Sequence, residues 1–173
     1  AGFPNGFSTK LWSGYNNSTS SKVTQFIQQQ LAQVGIKAQV QALEAGQRVE
    51  KVESHQDAAT APVRLYYTGW SSSTGEADWG LRPLFAGDKT PPSMYNISYY
   101  KNPTVDADIM KALGTTDRAE KTKLYTEVQE EIWKDAPWAF LVTEKLLYAT
   151  SKKLTGMYVM PDANYFFEEI DLQ

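Results

Sequence analysis

The sequence predicts an α/β fold in which a mixed sheet carries helices on its faces, and three observations carry that prediction. Residues 7–42 read as strand, helix, strand; residues 63–70 read as a further strand entering a hydroxyl-rich loop; residues 117–133 form a long helical pattern. Parallel strands need a crossover of a dozen or more residues, and the first helix supplies it.

Phe7, Thr9 and Leu11 alternate with Ser8, Lys10 and Trp12 and lead into the polar turn Ser13-Gly14-Tyr15-Asn16-Asn17, a strand followed by a break. Ser18 or Thr19 is placed to cap a helix whose apolar face is Val23, Phe26, Ile27, Leu31 and Val34, with Gly35 as its left-handed stop. Ile36, Ala38, Val40 and Ala42 then alternate with Lys37, Gln39 and Gln41 as a strand with one buried face. A weaker helix from Ala45 to about Glu53 and a loop over residues 54–62 precede the third strand, which is dense in aromatic and β-branched residues. It delivers the chain into Ser71-Ser72-Ser73-Thr74-Gly75-Glu76-Ala77-Asp78. The carboxyl end of a strand is where open α/β sheets bind ligands.

Asp78 is expected to cap a brief helix carrying Trp79, Leu81, Leu84 and Phe85, followed by an irregular aromatic stretch through Tyr100. Thr104 caps a helix to about Leu113, and Thr116 or Asp117 caps the long one, with Ala119, Leu124, Val128, Ile132 and Trp133 on its inner face. Residues 138–142 read as a buried strand, with further strands at residues 146–149 and 154–159.

Composition narrows the function. A chain of 173 residues buries roughly 70% of its unfolded surface. With 17 Lys and Arg against 20 Asp and Glu it lacks the cationic surplus that neutralises phosphates, so no nucleic acid is expected as a partner. The absence of cysteine excludes disulfides, thiolate metal sites and cysteine nucleophiles. No apolar run approaches the ~20 residues that span a bilayer, and residues 1–6 show neither the basic nor the apolar region of a signal peptide. Aromatic residues reach 13%, including 5 Trp and 10 Tyr; such an excess often lines a cleft.

The cluster Ser71, Ser72, Ser73 and Thr74 could hold a nucleophile, yet it lacks a Gly-x-Ser-x-Gly elbow and His55 is the sole histidine. A serine hydrolase therefore stays a minor alternative, and a solvated loop is the bland one. Glu76 and Asp78 could mimic a carboxylate pair, but capping by Asp78 and exposure of Glu76 explain them more simply. Trp70 and Trp79 flank the loop either as walls of a cleft or as core, and Trp133 and Trp138 read as core. No metal ligand set and no cofactor motif is present. Asn17-Ser18-Thr19 and Asn96-Ile97-Ser98 match the glycosylation sequon, a pattern frequent by chance.

Four stretches in order carry a resemblance: residues 1–7, Ala-Gly-Phe-Pro-Asn-Gly-Phe; residues 29–37, ending Val34-Gly35-Ile36-Lys37; the Gly69-Trp70 loop; and Asp117-Arg118-Ala119-Glu120-Lys121 through Tyr125 and Gln129 to Ala136-Pro137-Trp138. Together they resemble the periplasmic substrate-binding proteins of the dipeptide, oligopeptide and glutathione ABC-importer family, the bacterial extracellular solute-binding proteins of family 5. Residues 68–70, 73–79 and 160–162 are similar to Thr-Gly-Trp, Ser-Thr-Gly-Glu-Ala-Asp-Trp and Met-Pro-Asp stretches of its glutathione-binding members.

The resemblance implies a type II binding protein with two lobes that close on the ligand. This chain would align with its last third, residues 1–145 forming an incomplete C-terminal ligand-binding lobe and residues 146–173 a tail returning toward the other lobe. It implies passive capture of glutathione or a short peptide in the periplasm, delivery to membrane permease subunits, and no catalysis; a generic dipeptide or oligopeptide receptor is the alternative. The ligand-binding residues it implies are Asn16, Asn17, Trp70, Ser71, Ser72, Ser73, Thr74 and Asp78. Many family members begin the loop with Asp-Tyr-Pro-Asp, whose first Asp pairs with a peptide ammonium. Ser73 stands at that position here, a neutral hydroxyl in place of a carboxylate. Without its other lobe the chain is expected to self-associate through strand edges near residues 158–167.

Overall fold

Leu11, Trp12 and Ser13 are the buried end of strand β1 (Phe7–Ser13), and that burial on both faces marks a central strand. In the computed structural model, which describes residues 2–160 and 162–173, β1 pairs in parallel with β2 (Ile36–Ala42) and with β3 (Leu65–Tyr67), in the order β2-β1-β3. Antiparallel pairing is confined to two short ladders near the end of the chain. The chain divides into two units, Ala1–Gly69 with Asp88–Tyr99 and Trp70–Gly87 with Tyr100–Gln173.

In the first unit, helix α1 (Ser18–Gln33) makes the crossover between β1 and β2. Its cap is Asn17, one residue before the expected Ser18 or Thr19. Asn17 Oδ1 accepts from the Ser20 amide at 2.9 Å while Ser20 Oγ accepts from the Asn17 amide at 3.2 Å, a reciprocal capping box. Gly35 ends the helix at φ 82° as expected. The buried face departs from expectation: Ser20 and Thr24 are its buried residues, Val23, Ile27 and Leu31 are half-buried, and Phe26 and Val34 are 61% and 70% exposed. The i, i+4 row from Ser20 points inward, and Phe26 lies off it.

Helix α2 (Ala45–Arg48) runs into a π-helical turn (Val49–Glu53) that buries Val52 completely. Strand β3 is only three residues long where eight were expected, because its pairing is limited to Leu11, Trp12 and Ser13 of β1. Trp12, Leu43 and Val52 form this unit's core with Val63, Tyr66 and Ile97 against it. The sequon residue Asn96 is wholly buried, and Ser98 donates to its Oδ1.

The second unit is helical. Helices α3 (Ala77–Phe85), α4 (Pro103–Gly114) and α5 (Arg118–Asp135) bury a core in which Phe85, Ile109 and Val128 are at most 3% exposed. Asn102, not Thr104, caps α4, accepting from the Thr104 amide at 3.0 Å, and Pro103 opens the helix. Asp117 caps α5 as expected. Leu124, Val128 and Ile132 face inward, but Ala119 is exposed and Trp133 is 70% exposed. Trp133 sits one residue, about 100°, round from Ile132, and stacks on Phe140 at 5.8 Å. Trp138 is half-buried against Phe85 at 4.9 Å.

The expected strands at residues 138–142 and 146–149 do not form, and residues 139–150 lie exposed outside helix and strand. A strand exists only as part of a pair, and among the described residues nothing pairs with them. The expected strand at residues 154–159 is split: β4 (Leu154–Thr155) pairs with β7 (Asp171–Leu172), and β5 (Tyr158–Val159) with β6 (Tyr165–Phe166). Gly156, at φ 73°, breaks it where its backbone meets the Glu169 carbonyl.

Candidate ligand-binding loops

The sequence places candidate residues in both units. At the carboxyl edge of β1, in the first unit, Asn17 is committed to capping α1 and Asn16 Nδ2 donates to Glu44 Oε1 at 3.1 Å. Tyr15 was not a candidate, yet it organises this edge. Its backbone carbonyl accepts from Ser13 Oγ and Ser20 Oγ at 2.7 and 3.1 Å, and its hydroxyl accepts from the Gly69 amide at 3.0 Å. Its ring meets Tyr67 edge-on at 6.1 Å. Burial pushes the neighbouring Tyr66 phenol up, with the Thr68 hydroxyl pulling the other way. The only sequence signal for Tyr15 was its place directly after a strand.

The hydroxyl loop belongs to the second unit. Trp70 donates its indole N–H to the Trp79 carbonyl at 2.8 Å, the rings lie 6.0 Å apart, and Trp70 packs against the helical core. The pair thus anchors the loop to the helical core. Ser71 Oγ donates to the Asp162 carbonyl at 3.1 Å, and Ser72 Oγ to the Glu76 carbonyl at 2.9 Å. Thr74 Oγ1 accepts from the Glu76 amide at 3.2 Å. Ser73 is exposed, and among the described residues its hydroxyl alone of the four has no partner in the chain.

Asp78 does not cap α3: Glu76 holds the cap position, without a side-chain hydrogen bond. Asp78, in the first turn, instead grips Arg82 one turn on, with Arg82 Nε and Nη2 at 2.7 to 3.0 Å from its oxygens. Such a forked pair satisfies the carboxylate internally. Tyr125, buried, has its phenol pushed up first by burial and then by Asp78 and Glu76. No group of three or more His, Asp or Glu among the described residues could hold a metal. His55, in the first unit, is half-buried, and its carbonyl accepts from the Tyr99 hydroxyl at 2.7 Å.

The first unit thus holds a parallel sheet with a crossover helix, and the second holds an aromatic-anchored loop with a free hydroxyl at Ser73. Residues 1–92 match the family model for bacterial extracellular solute-binding proteins, family 5 Middle, and the chain belongs to that family. It is 60% identical over 172 residues to the glutathione-binding protein GsiB of Pectobacterium atrosepticum, covering 99% of this chain and 33% of that relative. Among solved structures, clavulanic acid biosynthesis oligopeptide binding protein 2 superposes with a TM-score of 0.83 at 24% identity, over 99% of this chain and 31% of the other, a likeness of fold. The ABC transporter-associated periplasmic binding protein DppA from Helicobacter pylori in complex with peptide STSA has a TM-score of 0.63 at 30% identity, over 79% of this chain and 25% of its own. The chain spans about a third of the length of the curated relative it matches.

Proposed function

We propose that this chain carries part of the ligand cleft of a periplasmic receptor that captures glutathione or a short peptide and presents it to the permease subunits of an ABC importer, without chemistry on the ligand. The observation that carries this reading is the 60% identity to a glutathione-binding protein across nearly the whole chain, loop 71–78 included. The free Ser73 hydroxyl adds to it, a neutral contact at the tip of an otherwise self-satisfied loop. In this reading residues 1–145 belong to a ligand-binding lobe, and residues 146–173 return toward the rest of the receptor. Asn16, Asn17, Trp70, Ser71, Ser72, Thr74 and Asp78 act chiefly by shaping the two loops, and Ser73 touches the ligand. The exposed apolar stretch over residues 139–150 supports a covering partner and, for the chain alone, self-association.

Calorimetric titration of the full-length receptor tests the reading: saturable binding of glutathione or of a dipeptide is expected, and binding of neither overturns it. A competition between glutathione and alanyl dipeptides tests the residue. Ser73→Asp is expected to shift preference toward dipeptides by about tenfold or more, since a charge-assisted hydrogen bond is worth about 1.5–3 kcal/mol. An unchanged preference would show that Ser73 does not face the ligand.

A further inference from the structure

We propose that Asp162 supplies the anionic partner for the ligand's primary ammonium, a role that rests on the receptor reading above. Asp162 lies 91 positions beyond Ser71 in sequence, yet the hydrogen bond from Ser71 Oγ to its backbone carbonyl at 3.1 Å joins the connection between β5 and β6 to the first residue of the hydroxyl loop. That connection is itself fixed, with the Met160 amide donating to the Asn164 carbonyl at 2.8 Å and the Ala163 amide to the Met160 carbonyl at 3.0 Å. Among the described residues one neighbour orients the carboxylate: Asp162 Oδ1 accepts from the Asn164 amide at 3.1 Å and Oδ2 from Asn164 Nδ2 at 2.8 Å.

Both donors are neutral, so they aim the carboxylate without cancelling its charge. About four lone-pair sites exist on a carboxylate and two are taken. Among the described residues no Lys or Arg forms an ion pair with Asp162. The loop's own acids offer less. Asp78 is neutralised by Arg82, and Glu76 is exposed and makes no side-chain hydrogen bond at the cap position it holds, whereas Asp162 is half-buried. A half-buried, pre-oriented, unneutralised carboxylate joined to a loop with a free hydroxyl is built to receive a cation that also donates hydrogen bonds, as a primary ammonium does.

The test uses the full-length receptor, with glutathione and its N-acetylated form as probes, titrated against the native protein and the Asp162→Asn, Glu76→Gln and Ser71→Ala variants. Asparagine keeps an acceptor for the Asn164 amide, so Asp162→Asn removes the charge and spares the turn. The native receptor is expected to bind glutathione about ten- to a hundredfold more tightly than the acetylated form. Asp162→Asn is expected to weaken glutathione by that factor and leave the acetylated form unchanged, so that discrimination collapses; Glu76→Gln is expected to keep it. Should Asp162→Asn not fold, Ser71→Ala, which loosens Asp162 from the loop, is expected to narrow the discrimination. Native-like discrimination in Asp162→Asn, or in Ser71→Ala where that variant decides, overturns the proposal while leaving the receptor reading intact. No binding of glutathione by the native protein overturns the proposal, and no binding of a dipeptide either overturns both.

Discussion

At Gly6 the chain turns into the first strand with φ 72°, and a Cβ placed there would overlap the carbonyl of Gly35. The left-handed backbone and the close approach act together, since the Phe7 amide donates to that same carbonyl at 3.2 Å. Gly6→Ala is therefore expected to cost at least ~1 kcal/mol. Gly46, inside α2 with open space around it, behaves oppositely, and Gly46→Ala is expected to be neutral or to stabilise by up to ~1 kcal/mol. Urea unfolding of the two variants decides, and equal effects would refute the contrast. Legibility at this scale follows chemistry that is local. Gly35 after a helix read directly as a break. The roles of Asn16 and Asp78 were hidden because their partners, Glu44 and Arg82, are chosen by geometry that composition does not encode.

Between elements, α4 and α5 are clasped at one end by a single carboxylate. Asp135 Oδ2 accepts from the Tyr100 hydroxyl at 2.6 Å and from Asn102 Nδ2 at 2.8 Å, and Asn102 also caps α4. Asp135 closes α5, where a negative charge meets the negative end of the helix dipole, and the two donors offset that repulsion. These bonds hold the Asp135 carboxyl below its usual range, while burial first and Asp135 second push the Tyr100 phenol up to about 12. A depressed carboxyl contributes stability that is present above its unfolded pKa and is lost as pH falls through the folded value. The raised phenol contributes stability present below pH ~10 and lost as pH climbs through about 12. Asp135→Asn is thus expected to flatten part of the acid-side fall in the urea midpoint between about pH 5 and 3; the exposed Glu120, lowered by Lys111 and Thr115, accounts for another part. Parallel acid limbs in native and variant would refute the clasp. The helices were legible here because capping and i, i+4 spacing are local, whereas residues 138–142 and 146–149 read as strands by propensity and, among the described residues, lack the partner that propensity cannot supply.

On the scale of the whole molecule, the order of four short motifs was enough to read the family, while the interleaving of two units was not, since it depends on residues 88–99 packing back on the first unit. Apart from Phe140, whose ring meets Phe85, Trp133 and Trp138, the same scale leaves one region that the chain's own contacts cover little. Over residues 139–150, Val142 is 78%, Leu147 90% and Tyr148 58% exposed, and among the described residues no backbone group of that stretch is hydrogen-bonded within the chain. Burying one such aliphatic side chain is worth about 1.5–3 kcal/mol, and free backbone donors next to apolar side chains invite strand pairing. The strand expected at residues 146–149 is thus a segment without an edge to pair with among the described residues. The 173-residue chain on its own is expected to associate in a concentration-dependent way in sedimentation velocity, while the full-length receptor, where the proposed remainder of the protein would cover this stretch, is expected to sediment as a monomer. Replacing Val142 and Leu147 together by Lys removes apolar area and adds like charge to both sides of any self-pairing. It is expected to shift the chain toward monomer with the melting temperature little changed, because neither side chain is buried in the fold. Association that survives the double substitution would place the contact elsewhere, with the exposed aromatics of residues 158–167 as the next surface to remove, and a chain that stays monomeric at high concentration would show that the stretch finds cover within the chain itself.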